Sequence, residues 1–159
     1  MARTMRAMSP ALTAALVGAL LTFAHASRPP DPTTPSADTT RPTGTIDVAA
    51  SPRLRTLLQG LPARLTCSEP ASASAVVRVG PKTARALGLE RRRGRPVPIA
   101  TGRTRCTPGR AARVTVRPRQ DISERLRRAR RPLKARFHLA LTDAAGNTGR
   151  TWTRVTVRP

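Results

Sequence analysis

Apolar residues along the chain recur at every second position in short runs, broken by clusters of Gly, Pro and Arg, which is the pattern of half-buried strands. Ile46 and Val48 open a first strand, and Leu54, Leu57 and Leu58 show one turn of helix-like spacing before Gly60. Leu61, Ala63, Leu65 and Cys67 alternate with Pro62, Arg64 and Thr66, so a second strand has one apolar face with Cys67 in phase with it. Ala73, Ala75, Val77 and Val79 are the inward set of a third strand, stopped by Gly80 and Pro81. Pro81 suits the first position of a short helix and Gly88 its end. Val97 and Ile99 mark a fourth strand with Cys106 on its continuation, and Ala112, Val114 and Val116 a fifth.

Asp121 and Glu124 have the spacing of a capping box. The helix they start carries Ile122, Leu126 and Ala129 on one stripe and ends near Arg131, because Pro132 disfavours helical geometry before it. Ala135, Phe137, Leu139 and Leu141 form the clearest strand of all. The segment Asp143-Ala144-Ala145-Gly146-Asn147 is a hairpin turn, in which glycine takes the left-handed position and the aspartate bonds turn amides, and residues 151–157 pair back as the last strand. About seven short strands with two short helical connections predict an all-β chain, a Greek-key β-sandwich.

Two segments precede this pattern. Arg3 and Arg6 lead an uncharged stretch whose apolar centre runs from Ala11 to Phe23, and Ala24-His25-Ala26 supplies the small-x-small pattern of a signal-peptidase site. Residues 1–26 are therefore expected to be a cleavable signal peptide, cut before Ser27. The alternative is a membrane anchor, disfavoured because the stretch is short and holds Pro10, Thr13 and Thr22. Residues 27–44, rich in Pro and Thr with no aliphatic side chain larger than alanine, read as a disordered spacer, which leaves 45–159 as the domain.

Composition adds charge. The 159 residues hold 30 Lys and Arg against 8 Asp and Glu, a formal net charge of +22, and almost all the cations are arginine. Such richness in Arg, Ala, Pro and Gly is also what GC-rich codons supply, so part of it reflects codon bias. Dense runs occur at Arg91, Arg92, Arg93 and Arg95 and from Arg125 to Arg131, including Arg127, Arg128, Arg130 and Arg131. A field of this strength attracts nucleic acid, anionic lipid or teichoic acid, with affinity falling as salt rises. Against that, arginines spread through nearly every strand and loop look like the solvated surface of an ordinary sandwich, whereas recognition surfaces usually segregate charge. Two Phe, one Trp and no Tyr exclude a stacking surface of several rings. Trp152 falls out of phase with Val155 and Val157, so it is either an exposed contact residue or turned inward by a bulge, the second being favoured for so large a side chain.

Little catalytic chemistry is on offer. His138, the histidine left after cleavage, falls on the outer face of its strand beside Arg136 with no partner base or nucleophile implied, and neighbouring positive charge would depress its pKa. Two cysteines and one histidine fall short of a structural zinc site, acidic residues are too few and scattered for calcium, and no phosphate-binding loop or nucleophile elbow occurs. No enzyme, metal or cofactor is expected.

The order of several segments resembles a family. The entry Asp38-Thr39-Thr40-Arg41-Pro42-Thr43, the run from Arg53 to Leu58 leading to Leu65-Thr66-Cys67-Ser68-Glu69-Pro70, and the turn from Thr142 to Asn147 are similar to the arginine-rich bacterial immunoglobulin-like domains of exported actinobacterial proteins. The segments 83–89 and 125–131 are similar too. The resemblance implies an immunoglobulin-like sandwich and an accessory, non-catalytic module that spaces, caps or associates with envelope or secreted proteins. The chain departs from relatives in which a second cysteine closes the Cys-Ser-Glu-Pro motif, having Ala71 there, and it lacks the tyrosine corner and strand-C tryptophan of antibody-type domains. In an immunoglobulin-like sandwich the second strand pairs with the fifth, which brings the end of the second, at Cys67, near the start of the fifth, just after Cys106. An even pair in an exported chain makes a bridge the default, with two buried free thiols as the alternative. Two functional readings follow: a structural or interaction module, and a cationic binder of extracellular polyanions.

Overall fold

A computed structural model describes residues 38–89 and 94–159, and the expected signal peptide, most of the expected spacer and Arg91, Arg92 and Arg93 lie outside them. Seven strands and three short helices follow one another as β1 (Gly44–Asp47), α1 (Leu54–Gly60), β2 (Leu61–Cys67), β3 (Ala71–Val79), α2 (Pro81–Ala86), β4 (Val97–Cys106), β5 (Ala112–Val116), α3 (Gln120–Leu126), β6 (Leu133–Thr142) and β7 (Thr148–Val157). The strands form two antiparallel sheets, of order β1-β2-β5 and β4-β3-β6-β7. The chain is therefore an all-β sandwich with β2 paired to β5 and β3 to β6 by long connections. β4 lies beside β3, on the edge of the four-stranded sheet, whereas the constant-type immunoglobulin arrangement puts four strands in the other sheet.

Alternation dictates the core. Leu61, Ala63, Leu65 and Cys67 of β2, Ala73 to Val79 at every second position of β3, Val114 and Val116 of β5, the alternate residues Ala135 to Leu141 of β6, and Val155 and Val157 of β7 are all buried. Phe137 lies at the centre, fully enclosed with Leu57, Leu65 and Leu126 among the other fully buried side chains. No polar or charged side chain is buried among the described residues, so the arginines stay outside, where their hydration is kept. In β4 an extra residue shifts the register between the Val77–Ala100 and Arg78–Pro98 pairs, so Ile99 and Ala100 both turn inward. Beyond that bulge, Thr101 and Arg117 exchange backbone hydrogen bonds of 3.1 and 2.9 Å and join the two sheets at a corner.

Helix-like spacing at Leu54 to Leu58 turns out to be a full helix, α1, a third helical connection beyond the two expected. Gly60, at φ +122°, lets the chain pass from that helix straight into β2. The capping box does not form. Helix α3 starts one residue before Asp121, with Arg119 at the N-cap and no side-chain cap, and the Asp121 carboxylate instead takes the Arg119 guanidinium at 3.0 Å. Regular α-helix also stops at Leu126, well before Arg131, and continues only as turns in which Arg128 and Ala129 donate to Arg125 and Leu126. The β6–β7 turn forms as expected: Gly146 has φ +88° and the Asp143 Oδ1 accepts from the Asn147 amide at 2.8 Å.

Packed residues begin before Thr45. The Asp38 carbonyl accepts from the Asn147 side chain, Thr43 and Ser68 bond each other through backbone and side chain, and Pro42 is buried where Gly149 leaves no room for a Cβ. Residues 38–44 thus belong to the domain rather than to the spacer, because Gly149 admits their backbone. Residues 50–54 lie along the end of β7, with Thr156 donating to Ala50 and Arg158 to Pro52, and cover part of that edge.

Cys67 and Cys106 are bridged, with Cα atoms 6.2 Å apart. The bond ties the end of β2 in one sheet to the end of β4 in the other, both cysteines being buried.

Candidate functional site

Because inward positions alternate with outward ones, the register of the four-stranded sheet fixes its outer face. Arg78, Arg136 and Arg154 stand side by side on β3, β6 and β7. Two residues along, Thr101, Val76, His138 and Trp152 form the next row, followed by Arg103, Ser74, Ala140 and Arg150, and then by Arg105, Ser72, Thr142 and Thr148. Lys134 and Thr156 complete the face beyond Arg136 and Arg154. This surface collects cations from all four strands.

No carboxylate shares it among the described residues. Asp47 is on β1, Asp121 and Glu124 are in α3, and Asp38, Glu69 and Asp143 lie together at the turn end of the sandwich. The outer face of the three-stranded sheet is different. Its cations Arg64 and Arg113 are neighbours, but Asp47 is the register partner of Arg64 and the other outward residues are mostly threonine. Arginines are exposed on other elements too, so what sets this face apart is that its cations share it with no described carboxylate. Their clustering follows from strand parity: Arg103 and Arg105, Lys134 and Arg136, and Arg150 and Arg154 recur at even separations, so each pair points the same way.

Trp152 is exposed, at 47%, and not turned inward. The β6–β7 register runs without a bulge from Leu133–Val157 to Thr142–Thr148, so parity keeps the indole outside. The Arg136 guanidinium carbon sits 4.7 Å from the ring centroid, a cation–π contact worth about 0.5–1 kcal/mol at an exposed site. His138 is the cross-strand partner of Trp152 and half-buried. Its pKa is lowered, first by desolvation and then by Arg78 and Arg136, so the imidazole is neutral at pH 7 and leaves the cationic field to the arginines.

Two open hollows lie on this face and meet at Ser74. One, of about 1170 Å³, extends from Ser74 past Val76, His138 and Trp152 to Arg78 and Arg154; the other, of about 470 Å³, extends from Ser74 to Arg103, Arg105 and Thr142. Ser74 lines both.

No family model and no curated protein matches the chain. Any functional reading therefore rests on the arrangement of its own residues.

The arginines singled out as runs lie elsewhere. Arg127, Arg128, Arg130 and Arg131 are exposed in the turns and loop after α3, on the connection from β5 to β6. Arg95 is exposed beside an apolar-floored pocket of about 530 Å³ between β4 and α3, whose rim includes Arg117, Arg119 and Arg125. Two of these are engaged: Arg119 with Asp121, and Arg125 with the Gly88 carbonyl.

The fold also gathers three acids that are distant in sequence. Carboxylate oxygens of Asp38, Glu69 and Asp143 lie within 4.8 Å of one another, and the Asp143 Oδ2 is buried without a hydrogen bond. The Glu69 pKa is raised, by desolvation and then by the charges of Asp143 and Asp38. Sequence reading missed this trio because Asp38 looked like part of the spacer. Three partly exposed carboxylates do not by themselves make a metal site, and none is assigned.

Proposed function

We propose that the chain is an exported, non-catalytic interaction module that binds polyanions through the outer face of β4-β3-β6-β7. The observation that carries this reading is the gathering of Arg78, Arg103, Arg105, Arg136, Arg150 and Arg154 on one sheet face that holds no carboxylate among the described residues. A surface of one sign over a low-dielectric sandwich focuses its field and raises the local concentration of an anionic partner. Phosphate, sulfate or carboxylate groups bound there release counterions, which makes the affinity steeply salt-dependent.

Export is supported by the charged, apolar and small-x-small succession in residues 1–26, and by the Cys67–Cys106 disulfide, which an oxidising compartment permits. No described helix is long and apolar enough to cross a membrane. The immunoglobulin-like resemblance points the same way, toward an accessory module rather than an enzyme. The lone half-buried His138, flanked by arginines and facing Trp152, supports a binding rather than a catalytic use of the face.

The test compares elution of the chain from heparin resin with elution from a cation exchanger of matched charge density. Retention on heparin at clearly higher salt, lost when Arg78, Arg136 and Arg154 are replaced by threonine, is the expected outcome. Equal elution from the two resins would reduce the module to a plain structural spacer among envelope or secreted proteins.

A further inference from the structure

Shape restricts which polyanion fits. On the two central strands Ser72 and Ser74 of β3 and Ala140 and Thr142 of β6 form a floor of small side chains, which Val76 and His138 continue toward Arg78 and Arg136. Arg103 and Arg105 on the β4 edge make one bank, and Arg150 and Arg154 on the β7 edge the other. Three inter-strand spacings separate the edge strands, about 14 Å between backbones. The two hollows meet at Ser74, one reaching across β6 and β7 to Arg154 and the other across β4 to Arg103 and Arg105, so together they open the floor from bank to bank. Such a trough takes one extended chain lengthwise, whereas a duplex is a stiff rod that rests on the banks and leaves the floor empty.

The residues also restrict the chemistry. Every cation of the banks is arginine, whose planar fork pairs two N–H groups with a phosphate. Single-stranded nucleic acid is normally held by several aromatic platforms. This face has a single indole, Trp152, one side of which Arg136 covers, and beside it only the half-buried imidazole of His138. A membrane surface meets a protein through a protruding apolar face. A flat array of anionic headgroups would meet the arginine banks and Trp152 but leave the floor at Ser74, Val76 and Ala140 empty. One end of the trough is closed by charge, because Asp143 follows Thr142 directly and stands with Asp38 and Glu69. The other end opens at Arg78, Arg136 and Lys134.

We infer that the occupant is a single extended phosphodiester chain without aromatic bases, a polyol phosphate of the cell-envelope kind. It lies along the strands between the two arginine banks, entering at the Arg78 end. This inference rests on the polyanion reading above and narrows it.

Trp152 is the chain's one tryptophan, so its fluorescence reports on this face alone. The purified chain is titrated with poly(glycerol phosphate), with oligothymidylate of equal phosphate number, with duplex DNA and with phosphatidylglycerol vesicles. Poly(glycerol phosphate) should change the Trp152 emission and bind at least tenfold tighter than the other three. A second variant, Ser74→Leu with Ala140→Leu, fills the floor and keeps every charge. It should cost about tenfold in affinity for poly(glycerol phosphate) while circular dichroism stays unchanged. Oligothymidylate, duplex or vesicles binding as tightly would overturn the inference and leave the polyanion reading standing, as would a filled floor without effect. If none of the probes is held more tightly than by a charge-matched exchanger, both fail.

Discussion

Removing the Cys67–Cys106 bond with a Cys67→Ala, Cys106→Ala double substitution should destabilise the domain strongly. The bond closes a loop of 39 positions between strands in different sheets. Chain-entropy reasoning puts its stabilisation at about 4 kcal/mol at 25 °C, through the freedom it denies the unfolded chain. Domains of this size have roughly 5 to 15 kcal/mol in all, so the variant loses a large part of its stability. Alanine is the right replacement, because both positions are buried and serine would place an unpaired hydroxyl there. Equilibrium guanidinium denaturation of the oxidised protein, the reduced protein and the variant separates two effects. Reduction removes the crosslink and keeps the sulfur atoms, so it measures the constraint; any further loss in the variant measures packing. The denaturant slope should also rise in both, because an uncrosslinked chain exposes more surface. A loss below about 1 kcal/mol on reduction, with the slope unchanged, would refute the entropic account.

Three further outcomes follow. Phe137→Ala, which empties the centre of the core, should cost about 3–5 kcal/mol in the same denaturation assay, and a loss under 1 kcal/mol would contradict the packing described. His138 has a folded pKa below its ordinary value, so the unfolded chain binds the proton more readily; stability from this group is full above the unfolded pKa near 6.5 and falls as pH drops through it toward the folded value. An NMR titration placing His138 at or above the unfolded value would be incompatible with its desolvation beside Arg78 and Arg136. Intact mass of the exported product should correspond to a chain starting at Ser27, and a mass that includes residues 1–26 would exclude the cleavage.

Strand positions were legible because burial on one face imposes a two-residue period, and β2, β3 and β6 keep that period without exception. The turn at Asp143 to Asn147 was legible for a local reason, a glycine and an aspartate at the positions the geometry needs. What escaped depended on contacts between distant segments. Pro42 and Asp38 join the domain only because Gly149 and Asn147 receive them, and nothing in residues 27–44 signals it. The Asp121–Glu124 spacing fits a capping box, but Arg119 competes for the aspartate and the helix starts a residue earlier. Trp152 was a case where parity outweighed size: its separation from Arg150 and Arg154 placed it outside, and the Arg136 contact replaces part of what burial would have given. The cationic face was hidden for a related reason. Runs such as Arg127 and Arg128 catch the eye but lie in the turns after α3, whereas the cations of the face are spaced two or four residues apart on strands, where every second residue shares a surface.

The claim that this face is the working surface is tested most directly by the salt dependence of heparin affinity in two charge-matched variants. One replaces Arg78, Arg136 and Arg154 with threonine, and the other replaces Arg127, Arg128 and Arg130, which lie off the sheet. Each cation that pairs with a polymer phosphate or sulfate contributes roughly 0.7 to the slope of log K against log salt, taking the single-stranded polyelectrolyte as a guide. The face variant should therefore lose roughly 2 from the slope, while the loop variant keeps that of the parent. Equal losses in the two variants would mean that the chain is held by its net charge alone, and would contradict the account.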